Sequence, residues 1–175
     1  VKCWGDDPFG FGNLGLGDVT NQESPATVNL GGGYAVSLSS VSDHTCAVLN
    51  DGSLMCWGRN TNAQLGTGDL INYNTPYSIN LGAGRSAVGV DTSVFHTCAL
   101  VDDGSLDCWG NLGKGATGLE KGVTDTPQQV ELGPGNVIST TTVVQCQAGS
   151  YQPLPDQTSC IIADNYHYVP TIGST

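Results

Sequence analysis

The sequence predicts an all-β protein built from propeller-blade-type repeats of four short antiparallel strands, and three observations support this prediction. The segment HTCAVLNDGSLMCWG at residues 44–58 returns almost unchanged as HTCALVDDGSLDCWG at residues 96–110. Cys-Trp-Gly triplets begin at residues 3, 56 and 108, so about two and a half repeats of 52 or 53 residues are present. The 25 glycines and the low charged fraction of 12% are typical of β-proteins with many tight turns. A period of this length with about four strand-like runs indicates propeller blades or a related β array.

The repeated segment has the pattern of a disulfide-stapled β-hairpin. Two short apolar runs flank an Asp-Gly pair, which favours a tight hairpin turn because glycine accepts a positive φ. A turn centred on residue 51 places Cys46 opposite Cys56, and the second copy places Cys98 opposite Cys108. Facing residues of antiparallel strands have Cα atoms about 4.5–5.5 Å apart, within disulfide range. We therefore predict two cross-strand disulfides, with pairs of reduced core cysteines as the alternative.

Further strand-like runs and glycine-rich loops separate the hairpins. The loops lie at residues 6–17 and 59–68, and each is followed by a polar stretch and a proline. The predicted strands outside the hairpins lie at residues 26–30, 34–38, 77–81 and 86–90. The third repeat begins at Cys108 and then loses the pattern, so that residues 137–145 form its last predicted strand.

The chain is predicted to have two parts. Residues 1–145 contain the propeller-type repeats, with repeat boundaries near residues 3, 56 and 108. Residues 146–175 contain three prolines and few apolar residues, and they form a short cysteine-rich module or linker. So small a module has too little core to fold alone, and we expect Cys146 and Cys160 to staple it.

Charge and cysteine content restrict the possible partners and the compartment. The net charge of −11 and the sequence pI of about 4.1 disfavour nucleic acid and anionic membranes as partners. No apolar run approaches the roughly 18 residues of a membrane span. Seven cysteines at disulfide-compatible spacing indicate an oxidising compartment, so we expect an extracellular or cell-surface protein. The chain begins in mid-repeat, which predicts either a mature product or a piece of a longer chain.

The segments WGRNTNAQLGTGD (57–69), NTPYSINLG (74–82) and HTCALVDDGSLDCWG (96–110) resemble the regulator of chromosome condensation repeat family. The resemblance covers residues 1 to about 135 and implies blades of four antiparallel strands, usually seven to a ring. Copies with paired cysteines look like a secreted branch of the family. The acidity and the cysteines argue against transferring the nuclear protein's nucleotide exchange on Ran and its chromatin binding.

The tail AGSYQPLPDQTSCIIADNYHYVP is similar to short cysteine-rich extracellular repeats of the tumour-necrosis-factor-receptor or ephrin-receptor type. That repeat usually carries more cysteines than the two found here. The propeller repeats depart from the family as well, since two and a half blades cannot close a seven-blade ring.

The repeated histidines and tryptophans are predicted to be structural. His44 and His96 are interpreted as histidines that hydrogen-bond backbone groups, with metal ligation beside the cysteines as the alternative. Trp4, Trp57 and Trp109 are interpreted as core packing residues, with a sugar-stacking platform as the alternative. We predict no catalytic residue, cofactor or metal site, because no known catalytic motif occurs.

Cys3 is the odd cysteine. If the other six pair within the chain, its partner lies on further repeats or on a neighbouring molecule. The rival pairing joins Cys3 to Cys146 of another copy and leaves Cys160 free.

These observations lead to an expectation for function. We expect a non-enzymatic extracellular module that associates head to tail through its incomplete terminal strands into a surface array or filament. Its partners would be copies of itself or further repeats of a longer chain, and also other surface proteins or glycans. The alternative is a ligand-binding adhesin or inhibitor-type propeller fragment that acts through loop aromatics such as Tyr73.

Overall fold

The computed structural model describes residues 1–113, 122–131, 150–151 and 161–162, and this part of the chain contains strands and turns but no helix. The chain divides into two units, Val1–Glu131 and Leu132–Thr175. The sequence-based boundary at residue 145 stays a prediction, because residues 132–149 lie outside the described part, together with the strand predicted at 137–145 and the proposed staple Cys146–Cys160.

The first unit contains one half-blade and two complete blades. In the half-blade, β1 (Lys2–Gly5) pairs antiparallel with β2 (Gln22–Thr27). The first blade has the strand order β3-β4-β5-β6, and the second blade has the order β7-β8-β9-β10. The strands of the first blade are β3 (Ala35–Val41), β4 (His44–Leu49), β5 (Leu54–Gly58) and β6 (Tyr73–Ile79). Those of the second blade are β7 (Ala87–Thr92), β8 (His96–Val101), β9 (Leu106–Asn111) and β10 (Val123–Gln129). The prediction of four-stranded antiparallel blades is thereby confirmed.

The second unit has one described element. Strands β11 (Ser150–Tyr151) and β12 (Ile161–Ile162) pair antiparallel, with Ser150 opposite Ile162 and Tyr151 opposite Ile161.

Both hairpin disulfides are present. Cys46 lies opposite Cys56 in the β4–β5 ladder, and Cys98 lies opposite Cys108 in the β8–β9 ladder. Each pair forms a disulfide with a Cα–Cα distance of 4.1 Å. Cys46, Cys56 and Cys108 are fully buried, and Cys98 is partly buried. The two matching bonds fix the register of each central hairpin, because a one-residue slip would turn the sulfur atoms to opposite faces.

The blades pack through two apolar layers. Val28, Leu30, Ala47, Leu49 and Trp57 fill the layer between the half-blade and the first blade. Its counterpart between the first and second blades is larger and includes the Cys46–Cys56 disulfide, Leu65, Val101 and Trp109. The blades converge at their first strands, where β3 and β7 approach each other, and this is the radial arrangement of a propeller.

The fourth strand of each blade begins earlier than the sequence predicts. β2 and β6 start at Gln22 and Tyr73, whereas the predicted strands start at residues 26 and 77. The prolines at 25 and 76 therefore lie within strands, at a point where the pairing register shifts. An outermost strand tolerates proline at such a bulge, because the missing N–H faces solvent and leaves no ladder bond unmade.

Candidate interaction surface at the open blade edge

Each glycine-rich loop holds the tryptophan of the following repeat. The indole N–H of Trp57 donates to the carbonyl of Asn13 at 3.1 Å, and Gly15 lies directly over the indole ring. In the next repeat, the indole N–H of Trp109 donates to the carbonyl of Gln64 at 3.0 Å. Both tryptophans are completely buried. The tryptophans of these two Cys-Trp-Gly triplets are therefore covered by the loop of the preceding repeat and not by their own blade.

Trp4 has no such cover, and the prediction that it packs in the core is wrong. Its side chain is 59% exposed, whereas Trp57 and Trp109 are 0% exposed. The physical reason is that no loop in the described part of the chain precedes Trp4 in the way that residues 6–17 precede Trp57. Neighbouring Cys3 is half-buried and has no disulfide partner among the described residues. Burial raises the pKa of the Cys3 thiol, which favours the unreactive thiol form over the thiolate.

The exposed Trp4 stands beside an unpaired strand edge. Within the described part of the chain β1 pairs with β2 alone, whereas its counterparts β5 and β9 are each bonded on both sides. A cleft runs along this edge, towards the turn between β3 and β4. The cleft is lined by Lys2, Cys3, Trp4, Asp6, Asn13, Leu14, Ser40, Ser42 and Thr45.

The first blade also lacks cover on the side that faces this cleft. Leu38 pairs with Ala47, which belongs to the apolar layer against the half-blade, yet Leu38 is 50% exposed. In the second blade, Val90 holds the matching place opposite Ala99 and packs against the preceding blade. We call the unpaired edge of β1, exposed Trp4 and exposed Leu38 together the open blade edge.

The other side of each blade is protected against strand addition. All three fourth strands carry a proline at a register shift: Pro25 in β2, Pro76 in β6 and Pro127 in β10. Proline removes a backbone donor and is a common device for blocking a sheet edge. β1, with the sequence KCWG, has no proline, charge-lined bulge or covering loop on its open side among the described residues.

His44 is structural, but its partner differs from the prediction. Its Nε2 lies 3.0 Å from the Thr97 hydroxyl of the next blade, not against a backbone group. The single Thr97 hydroxyl proton goes to the carbonyl of Gln64 at 2.7 Å, so His44 must donate from Nε2. Its Nδ1 is buried and has no hydrogen-bond partner among the residues that the structure describes, and burial lowers the pKa of His44 to about 4. His96 is only partly buried. Its side chain forms no hydrogen bond with the described residues.

Two polar clusters escaped sequence reasoning. The guanidinium of Arg85 donates to both carboxylate oxygens of buried Asp107 at 2.8 Å and to the carbonyl of Leu81. Tyr73 lies in β6, not in a loop, and its hydroxyl donates to Asp69 at 2.9 Å. The Arg85–Asp107 and Tyr73–Asp69 pairs do not recur from repeat to repeat. The sequence indicates them only in that at least one residue of each pair differs from its counterpart in the neighbouring repeat.

The described residues contain no cluster of His, Cys, Asp or Glu side chains suited to a metal ion. The same part of the chain has no helix long and apolar enough to cross a membrane. The open blade edge offers backbone hydrogen-bonding groups, an aromatic ring and a thiol, which together suit the addition of a β-strand.

Comparison with known proteins identifies the repeats. Models of the regulator of chromosome condensation (RCC1) repeat match residues 35–64, 87–115 and 51–100. The ultraviolet-B receptor UVR8 of Arabidopsis thaliana is 35% identical over 118 residues, which are 64% of this chain and 26% of the receptor. The human X-linked retinitis pigmentosa GTPase regulator is 32% identical over 131 residues, which are 70% of this chain and 12% of the regulator. The chain thus spans about a quarter of the receptor's length and much less of the regulator's.

Solved structures share the fold. Human WBSCR16 has a TM-score of 0.61 at 23% identity, over 74% of this chain and 32% of that protein. Prp20p of Saccharomyces cerevisiae, described with its binding to Gsp1p and histones, has a TM-score of 0.63 at 21% identity, over 78% of this chain and 35% of that protein. The chain carries RCC1 repeats arranged as propeller blades, and its two complete blades are disulfide-bonded.

Proposed function

We propose that this chain, with its RCC1 repeats, is a non-enzymatic structural and interaction module of the extracellular space or cell surface. It associates head to tail through the open blade edge. The observation that supports the proposal is that β1, although built like β5 and β9, pairs with only one strand in the described part of the chain and leaves Trp4 exposed beside it. Two completed neighbours in the same chain show what such a strand normally pairs with: a strand whose cysteine lies opposite its own.

The occupant we assign is the segment of a second copy that ends at Cys146. Residues 137–146 read VISTTTVVQC, a run rich in β-branched residues that favours a strand. With Cys146 opposite Cys3, as Cys46 lies opposite Cys56, residues 144–147 would face β1, and the run before them would hold the place of β3. This assignment takes the rival pairing Cys3–Cys146 in place of the Cys146–Cys160 staple. Further repeats of a longer chain would satisfy the same edge, and the experiment below separates the two sources.

Burial and covalent bonding would both stabilise such a contact. Covering a large apolar side chain such as Trp4 contributes roughly 1.5–3 kcal/mol, and Leu38 would add a similar amount. Joining the Cys3 and Cys146 thiols releases two protons and two electrons, which pass to a disulfide-bearing oxidant of the secretory compartment. The Cys46–Cys56 and Cys98–Cys108 disulfides support this localisation, because such bonds are rare in reducing compartments.

The test is to express the 175-residue chain in an oxidising compartment and measure its mass in solution and on non-reducing gels. We expect oligomers in solution and a ladder on the gel that collapses on reduction. Peptide mapping of mixed ¹⁴N- and ¹⁵N-labelled protein should find Cys3 joined to Cys146 of the other isotope. Cys3→Ser should remove the covalent ladder, and Trp4→Asp should also weaken association under reducing conditions.

Matched variants sharpen the result. Cys160→Ser should leave the ladder intact, and Tyr34→Asp replaces an exposed aromatic residue away from the cleft and should leave the mass unchanged. A monomer with an alkylatable Cys3 would contradict self-association. If a longer natural chain instead joins Cys3 to a cysteine of an upstream repeat, the edge is completed within the molecule and the head-to-tail proposal fails.

A specific loop feature favours a second candidate, the ligand-binding adhesin or inhibitor-type fragment. Phe9 is 69% exposed and stacks on Phe11 with ring centroids 5.6 Å apart, and the guanidinium of Arg59 lies 5.0 Å from the centroid of the Phe11 ring. Exposed aromatic groups with a neighbouring arginine are typical of protein-binding hot spots. Capture of a protein ligand that is lost in Phe9→Ser but retained in Trp4→Asp would favour this candidate over self-association.

A further inference from the structure

A second surface lies between the fourth strands of the first and second blades, away from the open blade edge. It is a groove whose lining includes Thr67, Tyr77, Ser78, Asn80, Thr126 and Pro127. None of the described residues that line it is charged, although the chain has a net charge of −11. The groove therefore presents hydroxyl and amide groups and one aromatic ring in an otherwise acidic protein.

The aromatic ring is held in place from behind. Tyr77 is 42% exposed, and its ring centroid lies 4.4 Å from that of Tyr73. The hydroxyl of Tyr73 donates to Asp69, and this bond raises the pKa of Tyr73 to about 12. Asp69 in turn accepts hydrogen bonds from the backbone N–H of Ile71 and the hydroxyl of Thr67. Tyr77 thus packs against a ring that is itself held in place, so its side chain should lose little conformational entropy when a ligand binds.

The tyrosine pair is absent from the equivalent positions of the other described repeats. The place of Tyr77, opposite the central cysteine, is held by Ala26 in the half-blade and by Gln128 in the second blade. The place of Tyr73 is held by Gln22 and Thr124. The equivalent groove between the half-blade and the first blade is lined by Thr27, Asn29, Thr75 and Pro76, and no aromatic residue is among its described lining residues. The tyrosine pair is therefore not needed to build a blade.

The donors in the groove suit a sugar better than a peptide. An extended peptide would need an open strand edge, but Pro76 and Pro127 interrupt the outer strands on either side. The hydroxyls of Ser78 and Thr126 and the amide of Asn80 can both donate and accept, as sugar hydroxyls do. The hydroxyl proton of Thr67 is already donated to Asp69, so Thr67 can only accept. The Tyr77 ring offers a flat apolar face for the C–H groups of a pyranose. We propose that this groove binds a neutral oligosaccharide, with one sugar ring stacked on Tyr77.

The test uses an array of immobilised neutral oligomers of glucose, galactose, mannose and N-acetylglucosamine, with sialylated and sulfated glycans as charged counterparts. We expect binding to one or more neutral glycans and none to the charged counterparts. For the best neutral glycan in solution, Tyr77→Ala should weaken binding at least tenfold, whereas Tyr77→Phe should retain it within about threefold. Gln128→Ala, at the same register in the next blade, should leave binding unchanged. The thermal unfolding of each variant shows whether a loss reflects the groove or the fold.

Three results would overturn the proposal: no glycan bound, selective binding of charged glycans, or equal binding by wild type and a folded Tyr77→Ala variant. Capture of a peptide that competes at Tyr77 while no sugar binds would also overturn it. The outcome is independent of self-association, because monomeric Trp4→Asp protein keeps the whole groove.

Discussion

Replacing Gly15 with alanine tests whether the interlock between loop and tryptophan holds neighbouring blades together. A Cβ at Gly15 would lie 2.5 Å from Nε1 and 2.8 Å from Cδ1 of the buried Trp57 ring. The residue also has a φ of +71°, which costs an L-amino acid about 1 kcal/mol or more. Overpacking against a fixed ring adds roughly 1–3 kcal/mol. We therefore expect Gly15→Ala to lower the free energy of unfolding by about 2–4 kcal/mol.

A matched control separates the two contributions. Gly31 has a φ of +72°, but a Cβ there would meet no atom within 4 Å. Gly31→Ala should thus show the backbone cost alone, about 1 kcal/mol. The next repeat offers an independent second pair: Gly66, under Trp109 with φ of +79°, and Gly84, in open space with φ of +75°. Urea unfolding followed by tryptophan fluorescence gives the four differences.

Equal losses for Gly15→Ala and Gly31→Ala would refute the interlock, because only the backbone conformation would then matter. A double-mutant cycle provides a further check. Trp57→Phe removes the indole atoms that the new Cβ meets, so the cost of Gly15→Ala should fall in that background. Additive losses would show that the loop does not press on the ring.

Two further predictions concern buried polar groups. Burial lowers the pKa of His44 to about 4, so between pH 6.5 and pH 4 the unfolded chain binds a proton that the folded chain does not. The free energy of unfolding should therefore fall by up to about 3 kcal/mol over this range. In pH-dependent urea unfolding, His44→Gln should remove this loss, whereas the control His96→Gln should retain it. Arg85→Met leaves the buried Asp107 carboxylate unpaired and should lower the stability by about 3 kcal/mol, as measured by thermal unfolding. Adding Asp107→Met, which places methionine where the first blade has Met55, should recover most of this stability. An unrecovered double variant would mean that the ion pair does more than neutralise buried charge.

The parts of the fold that depend on local chemistry could be predicted from the sequence. A hairpin whose turn is centred on residue 51 places Cys46 and Cys56 in register whatever surrounds it, and the structure has that pairing. The predicted fourth strands begin four residues later than the observed ones, because the sequence pattern takes Pro25 and Pro76 as strand boundaries. Only the position of those strands at the outside of the blade shows why proline is tolerated there.

Contacts between blades could not be predicted, because they depend on the angle at which one sheet packs on the next. The sequence predicts a backbone partner for His44, yet its side chain bonds to the hydroxyl of Thr97, 53 residues away. Repetition also suggested that the three tryptophans share one environment. The indoles of Trp57 and Trp109 are instead covered by the loop of the preceding repeat, and no such loop covers Trp4 among the described residues, so the same sequence motif is buried in two repeats and exposed in the third.

The difference in exposure between Trp4 and the other two tryptophans is the main reason to regard the open blade edge as an interaction surface. A single exposed tryptophan needs no explanation on an ordinary surface. Here Trp57 and Trp109 occupy the same place in the same frame and are wholly buried, so they show how much cover that place normally receives. Three features depart from the neighbouring blades: Trp4 is exposed, Leu38 is exposed where Val90 is partly buried, and β1 pairs on one side only within the described residues. All three concern the half-blade or the face of the first blade next to it. A surface residue that drifted to tryptophan by chance would account for one of these departures, whereas a blade completed by strands from elsewhere accounts for all three.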